Sequence, residues 1–241
     1  MSSIDLEQSG YCILASAIPA KVCNRIGRDI AALLDRNVED SISDDGKSYV
    51  GARNLQQTWT GWREITESDH VAELIRNTLG PFAGLVRILY FDKPPGKGWS
   101  LALHKDRTIA VKKHVEPASP FGKPTTKAGV PHVEATPELL AKMLTLRLHL
   151  DSMHADNGPL IVVPGSHEEM TQMAQKAKSS SKDTTEIHCN AGDIFAMRPM
   201  LSHGSRNAVS GNTDHRRVVH LEFAAEESLP DGYGWFQFSP L

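Results

Sequence analysis

His104 and Asp106 stand two residues apart, and a further histidine, His203, opens the tripeptide His203-Gly204-Ser205 about a hundred residues downstream. Two imidazoles and one carboxylate form the facial set that binds non-haem Fe(II) and leaves coordination positions open for other ligands. Asp193 closes the tract His188-Cys189-Asn190-Ala191-Gly192-Asp193, whose composition marks a turn, ten residues before His203. Beyond it, Arg216 heads the apolar run Val218-Val219-His220-Leu221-Glu222-Phe223. Arginine is a fixed cation whose planar fork matches a carboxylate through two hydrogen bonds. These residue types point to an iron enzyme with a carboxylate ligand held near the metal.

The elements that must position these residues can be read from periodicity. Residues 10–15 suit a short strand, and Pro19 opens a helix in which Val22, Ile26, Ile30 and Leu33 recur at helical spacing up to Leu34. The acidic tract 39–46 reads as a solvated loop, and a second helix is expected over 69–79, stopped by Gly80-Pro81. Strands dominate from there, over 86–91, 108–111, 144–150, 160–163, 186–189, 194–197 and 218–223. Thr136 caps a short helix that begins at Pro137 and runs to about Met143. Residues 116–131, with four prolines and two glycines, read as a long connector and a lid over the site, and 176–182 as a Lys/Ser-rich loop. Short strands after two helices argue a β-barrel or jelly roll buttressed by helices. A single domain over 1–241 is expected: an N-terminal buttress over about 1–85, a β core over about 86–225 and an aromatic tail over 226–241.

His104-x-Asp106, Asn157-Gly158-Pro159-Leu160, Pro164-Gly165-Ser166-His167, Gly192-Asp193, His203-Gly204-Ser205 and Arg216 occur in the order seen in the phytanoyl-CoA dioxygenase family of Fe(II)/2-oxoglutarate oxygenases, which this chain resembles over nearly its whole length. The resemblance implies a double-stranded β-helix, a cupin-like jelly roll. It implies Fe(II), 2-oxoglutarate and O2 as requirements, with the distal carboxylate of 2-oxoglutarate on Arg216 and Ser205. It implies oxidation of a substrate C–H with release of succinate and CO2. The carboxylate at Asp106 makes hydroxylation the expected outcome, with desaturation as a variant. The chain departs from the family's habits at Ala102-Leu103, where an aromatic is common, and at Lys105, where glutamine is usual.

Three His-x-Asp triplets compete for the metal: His104-Lys105-Asp106, His149-Leu150-Asp151 and His154-Ala155-Asp156. In a strand, residues i and i+2 share a face, so each could aim both groups at one ion. A jelly-roll site takes one pair from an early strand and its last histidine near the end. Beyond the ligand's own strand, four expected strands separate His104 from His203, whereas three or fewer remain from the other triplets, so His104 and Asp106 are the expected ligands. Leu146, Leu148 and Leu150 share one face, which leaves Arg147, His149 and Asp151 on the other. Arg147 and His149 are then candidates to support the ligands, the co-substrate or the substrate, unless Arg147 and Asp151 neutralise each other. His154 is expected in a structural turn, and His167 is expected to hold a loop. Arg217 falls on the opposite face from Arg216, and Lys93 is a further co-substrate candidate.

A formal charge of -3 and a pI near 6.4 give no general case for nucleic acid or an anionic membrane, leaving a small-molecule substrate as the expected partner. Within residues 93–127, however, eight basic residues face only Asp106 and Glu116. That stretch is either an ordinary solvated surface or a cavity rim that attracts anions, an anionic substrate included. Cys12, Cys23 and Cys189 are too few and too scattered for a disulfide framework or a thiolate site, and buried thiols fit a reducing cytoplasm. No run of about 20 apolar residues and no basic-headed signal peptide appears. The rival to an oxygenase is a metal-binding cupin-like module without oxygenase activity, which the three ligands alone would equally allow.

Overall fold

The computed structural model describes residues 3–36, 41–43, 49–96, 99–168 and 183–241. The expected loop over 176–182 lies outside them. Helix α1 (Ser3–Ser9) and strand β1 (Tyr11–Leu14) precede α2 (Ala20–Leu34), β2 (Ser41–Ser43), β3 (Tyr49–Ala52), α3 (Trp62–Thr66) and α4 (Asp69–Leu79). Then come β4 (Gly84–Lys93), β5 (Leu101–His104), β6 (Thr108–Ala110), β7 (Gly122–Lys127), β8 (Val130–Glu134) and α5 (Pro137–Ala141). The last third is β9 (Met143–His149), β10 (Leu160–Val162), β11 (Thr185–Ile187), β12 (Ile194–Met197), β13 (His203–Ser205), β14 (Arg216–Ala224) and β15 (Ser239–Pro240).

One sheet runs β1-β12-β9-β14-β4-β3-β2, with β15 also on β4, and a second runs β11-β10-β13-β5. Every pairing is antiparallel. From β4 to β14 the chain crosses repeatedly between the two sheets, which makes the mainly β jelly roll with flanking helices. The major sheet is covered by α2 and α4 because both are amphipathic. Val22, Ile26 and Ile30 of α2 and Val71 and Ile75 of α4 share one core with Leu146, Leu148, Val219, Leu221 and Phe223. Alternation along β14 therefore sends His220 and Glu222 to the other face, toward the minor sheet. Among the described residues no helix is long and apolar enough to cross a membrane.

Two expectations change. The expected connector over 116–131 contains paired strands, since β7 and β8 form a hairpin closed by Ala128 and Gly129 at φ 46° and 73°. Two consecutive residues at positive φ form the tight turn that matches strand twist, and the prolines only mask it. Within the acidic tract, Ser41–Ser43 pair with β3 at the sheet edge, where polar sequence is no bar to a strand. The C-terminal aromatics are packing groups. Trp235 is buried with Phe121 and Tyr233, and the Phe238 ring occupies the space that a side chain at Gly84 would need, 2.4 Å from an added Cβ.

Phe223 is fully buried in the helix-covered core, whereas Phe82 is 80% exposed. Phe223→Ala should cost about 3–5 kcal/mol in chemical denaturation, against less than about 0.5 kcal/mol for Phe82→Ala.

Candidate metal centre

Strands β5 and β13 are neighbours in the minor sheet, with His203 opposite His104 in register. The two imidazole rings lie 4.4 Å apart between centroids. Gly204 permits this approach, because a Cβ there would lie 2.5 Å from the Leu101 carbonyl oxygen, and backbone cannot yield cheaply. His104 Nδ1 donates to the Ala102 carbonyl at 2.9 Å and His203 Nδ1 to that of Leu201 at 3.0 Å. Each contact fixes the tautomer and turns an unprotonated Nε2 into the space between the strands.

Asp106 completes the group in an unexpected way. β5 ends at His104, so the carboxylate reaches the site from the following connector, held by its own N–H donating to the Pro199 carbonyl at 2.9 Å. Its carboxylate oxygens lie 3.8 Å from His104 Nε2 and 3.6 Å from His203 Nε2. Burial alone would raise the Asp106 carboxyl, but His203, His220, His104 and Arg147 outweigh it and hold it below its usual range. Burial lowers His203 to about 4 against the pull of Asp106, so its imidazole is neutral at physiological pH. His104, Asp106 and His203 are the metal-capable group found among the described residues.

The other triplets are taken up elsewhere. Asp151 accepts from the backbone N–H and the guanidinium of Arg217, and His154 lies 3.2 Å from Asp214. Arg147 and Asp151 therefore do not neutralise each other. Asp193 accepts from the backbone N–H groups of Ser16 and Asn190, which holds the turn before β12. His167 holds a loop by donating to the Glu7 carbonyl.

On the cavity face of the major sheet the polar groups stand in rungs set by strand register. Arg216 faces Lys93, His149 flanks Val218 and Phe91, Arg147 flanks His220 and Leu89, and Glu222 faces Arg87. Lys93 donates to Ser205 Oγ and to the Arg206 carbonyl, both at 3.0 Å, and sits over the Trp99 ring. Gly158 leaves room for it, since a Cβ there would lie 3.1 Å from Lys93 Nζ and 2.8 Å from the Arg206 carbonyl. Burial, then Arg216 and Arg147, lowers Lys93 to about 7. Burial and Arg147 also draw Arg216 down to about 9, and burial and both arginines keep His149 neutral. None of Lys93, Arg147 and Arg216 has a carboxylate ion-pair partner among the described residues. The Nε atoms of Arg147 and Arg216 and both ring nitrogens of His149 have no hydrogen-bond partner there.

A cavity of about 210 Å3 joins the three metal-capable side chains to these rungs. His220, Glu222, Arg87, Lys127, Arg53, Thr108 and Trp99 line it as well; of these the sequence reading reaches only Lys127, as part of the basic 93–127 stretch that could form an anion-attracting rim. The alternation that put Arg147 and His149 on the cavity face applies equally to Arg216, His220 and Glu222 and could have found the last two.

A jelly roll with two histidines and an aspartate converging between its sheets is the architecture of the cupin-like proteins. The chain matches the model of phytanoyl-CoA dioxygenase (PhyH) over residues 6–218 and belongs to that family; it is a non-haem iron oxygenase that uses Fe(II), 2-oxoglutarate and O2. No curated protein matches it. Among solved structures it is similar to AviO1 from Streptomyces viridochromogenes Tue57, at 18% identity and TM-score 0.66 over 94% of this chain and 95% of that one. It is also similar to the non-haem α-ketoglutarate-dependent epimerase SnoN from nogalamycin biosynthesis, at 17% identity and TM-score 0.65 over 99% and 90% of the two chains. EctD from S. alaskensis with bound Fe matches at 18% identity and TM-score 0.68, over 93% of this chain and 76% of EctD. These likenesses bear on the fold.

Gly204→Ala should force β5 and β13 apart, lowering Fe(II) or Mn(II) affinity at least about tenfold, with circular dichroism unchanged. Wild-type affinity in this variant would mean that the close strand approach does not set the ligand geometry.

Proposed function

We propose that His104 Nε2, Asp106 and His203 Nε2 hold Fe(II), that Arg216 with Ser205 and Lys93 holds the distal carboxylate of 2-oxoglutarate, and that the enzyme hydroxylates a small-molecule substrate. With Fe(II) bound, O2 oxidatively decarboxylates 2-oxoglutarate to succinate and CO2 and the substrate C–H is oxidised. The observation that carries this reading is the buried cation group of Lys93, Arg147 and Arg216 beside the ligands. Burying unpaired cations is costly, and a dianion relieves the cost. Arg216 offers the two-pronged contact, Lys93 and Ser205 close one side, and Arg147 supplies positive charge between that end and Asp106. The donor set suits the metal: two imidazoles that turn Nε2 inward and one ionised carboxylate, each tethered by the backbone. A metal-binding module without oxygenase activity would have no use for the cation group. Free, buried Cys12, Cys23 and Cys189 accord with the reducing cytoplasm in which we place the protein.

Lys93 also gives the site a pH signature. A bound dianion favours the charged lysine, so it must raise a group that stands at about 7 in the empty cavity. At about pH 8 binding should therefore take up a proton, and affinity should fall as pH rises above 7. Calorimetry in two buffers of different ionisation enthalpy reads the uptake, and Lys93→Met should remove it.

Arg216→Ala should weaken 2-oxoglutarate by about 30- to 1000-fold, the equivalent of roughly 2–4 kcal/mol for a charge-assisted paired contact. Arg217→Ala should change it less than about threefold, since Arg217 is engaged by Asp151 on the other face. Asp106→Ala should abolish the anaerobic Fe(II)/2-oxoglutarate charge-transfer absorption and Asp156→Ala should retain it; the reverse would reject the ligand assignment.

A further inference from the structure

The cavity continues past the ligands to a second cationic end that the co-substrate does not use. Arg87 on β4 stands opposite Glu222 on β14, six residues along β14 from the Arg216 and Lys93 rung, or roughly 20 Å of strand. It is 5% exposed. Its contact with Glu222 is a loose 3.5 Å, and its Nε has no partner among the described residues although the side chain lines the cavity. Lys127, delivered by the β7–β8 hairpin, and Arg53 line the same end, and Lys127 Nζ donates to Thr108 Oγ1 at 3.0 Å. Among the described residues at this end, Arg87 and Lys127 thus meet one carboxylate, Glu222, which leaves one positive charge in surplus. His220 lies 3.4 Å from that carboxylate, so Glu222 is engaged from two sides. Leu89, the next inward residue of β4, gives an apolar patch about 7 Å along the strand, on the His220 and Arg147 rung beside Asp106.

We propose that Arg87 and Lys127, with Arg53 at the rim, form the specificity subsite for an anionic group of the prime substrate, a carboxylate or phosphate whose apolar stem lies over Leu89 toward the metal ligands. This names the substrate class of the site proposed above and rests on that reading. Glu222 orients Arg87, and the unpaired charge selects small organic acids or phosphate esters over their neutral analogues. A zwitterionic amino acid is disfavoured because Glu222 is already engaged by Arg87 and His220, leaving the surplus positive.

The test uses hexanoate, hexyl phosphate and neutral hexanamide as probes on protein loaded with Fe(II) and saturating 2-oxoglutarate under anaerobic conditions. Binding is followed by calorimetry and by perturbation of the charge-transfer absorption. One of the two anions should bind saturably and at least tenfold more tightly than hexanamide, and their order tells carboxylate from phosphate. Lys127→Gln should weaken that anion about tenfold or more while the absorption still forms with 2-oxoglutarate. Arg87→Gln should do the same, and the Arg87→Gln/Glu222→Gln double variant removes the pair together if the single one folds poorly. Hexanamide binding as tightly as both anions, or wild-type anion affinity in Lys127→Gln and in the double variant, would overturn the subsite. Failure of the absorption to form in the wild type would count against the metal and co-substrate assignment alone, because calorimetry still reads the anion titration.

Discussion

The register of β14 against β4 and β9 is the constraint from which the cavity follows. Arg216 is opposite Lys93, His220 lies between Leu89 and Arg147, and Glu222 is opposite Arg87. Because side chains alternate across a strand, a slip of one residue in β14 would turn Arg216, His220 and Glu222 into the helix-covered core and bring Val219, Leu221 and Phe223 into the cavity. That core of aliphatic and aromatic groups under α2 and α4 is what makes the slip prohibitive, so hydrophobic burial on one face sets the electrostatics of the other.

The cavity is polar in an uneven way. Its two ends carry cations and its middle carries two histidines and an aspartate. Burial pushes Lys93, Arg147, Arg216 and His149 toward their neutral forms, and Asp106 and Glu222 stay ionised because neighbouring cations and imidazoles outweigh burial. An interior with so many unpartnered donors is organised around acceptors that arrive from outside. In the proposed function an organic anion meets the donors around Arg216 while the metal cation is held by the Asp106 carboxylate and the two imidazoles, which would couple the two binding events.

The minor sheet contributes geometry where the major sheet contributes charge. Gly204 lets β5 and β13 approach closely enough for two imidazoles to face one point, and the Leu201 and Ala102 carbonyls fix which nitrogen they present. Asp106 arrives on a connector pinned to Pro199, so one of the three metal-capable side chains is set by a loop contact and two by strand pairing.

Local sequence determined a good deal of this. Periodicity announced α2, α4, β4, β9, β12 and β14, because the helix and strand periods of apolar residues are written in short windows. The order of His104, Asp106, His203 and Arg216 named the family, and alternation alone assigned Arg147 to the cavity face. Tertiary structure decided what no window contains. It paired Asp151 with Arg217 and left Arg147 without a carboxylate partner among the described residues, and it folded part of the proline-rich 116–131 stretch into a hairpin that carries Lys127 to the cavity. It also set Arg87 against Glu222, 135 residues away in the chain. The physical reason is that a strand's own sequence specifies which side chains share a face, whereas the residue opposite each one depends on the register between strands that are distant in the chain, and only the packed core sets that register.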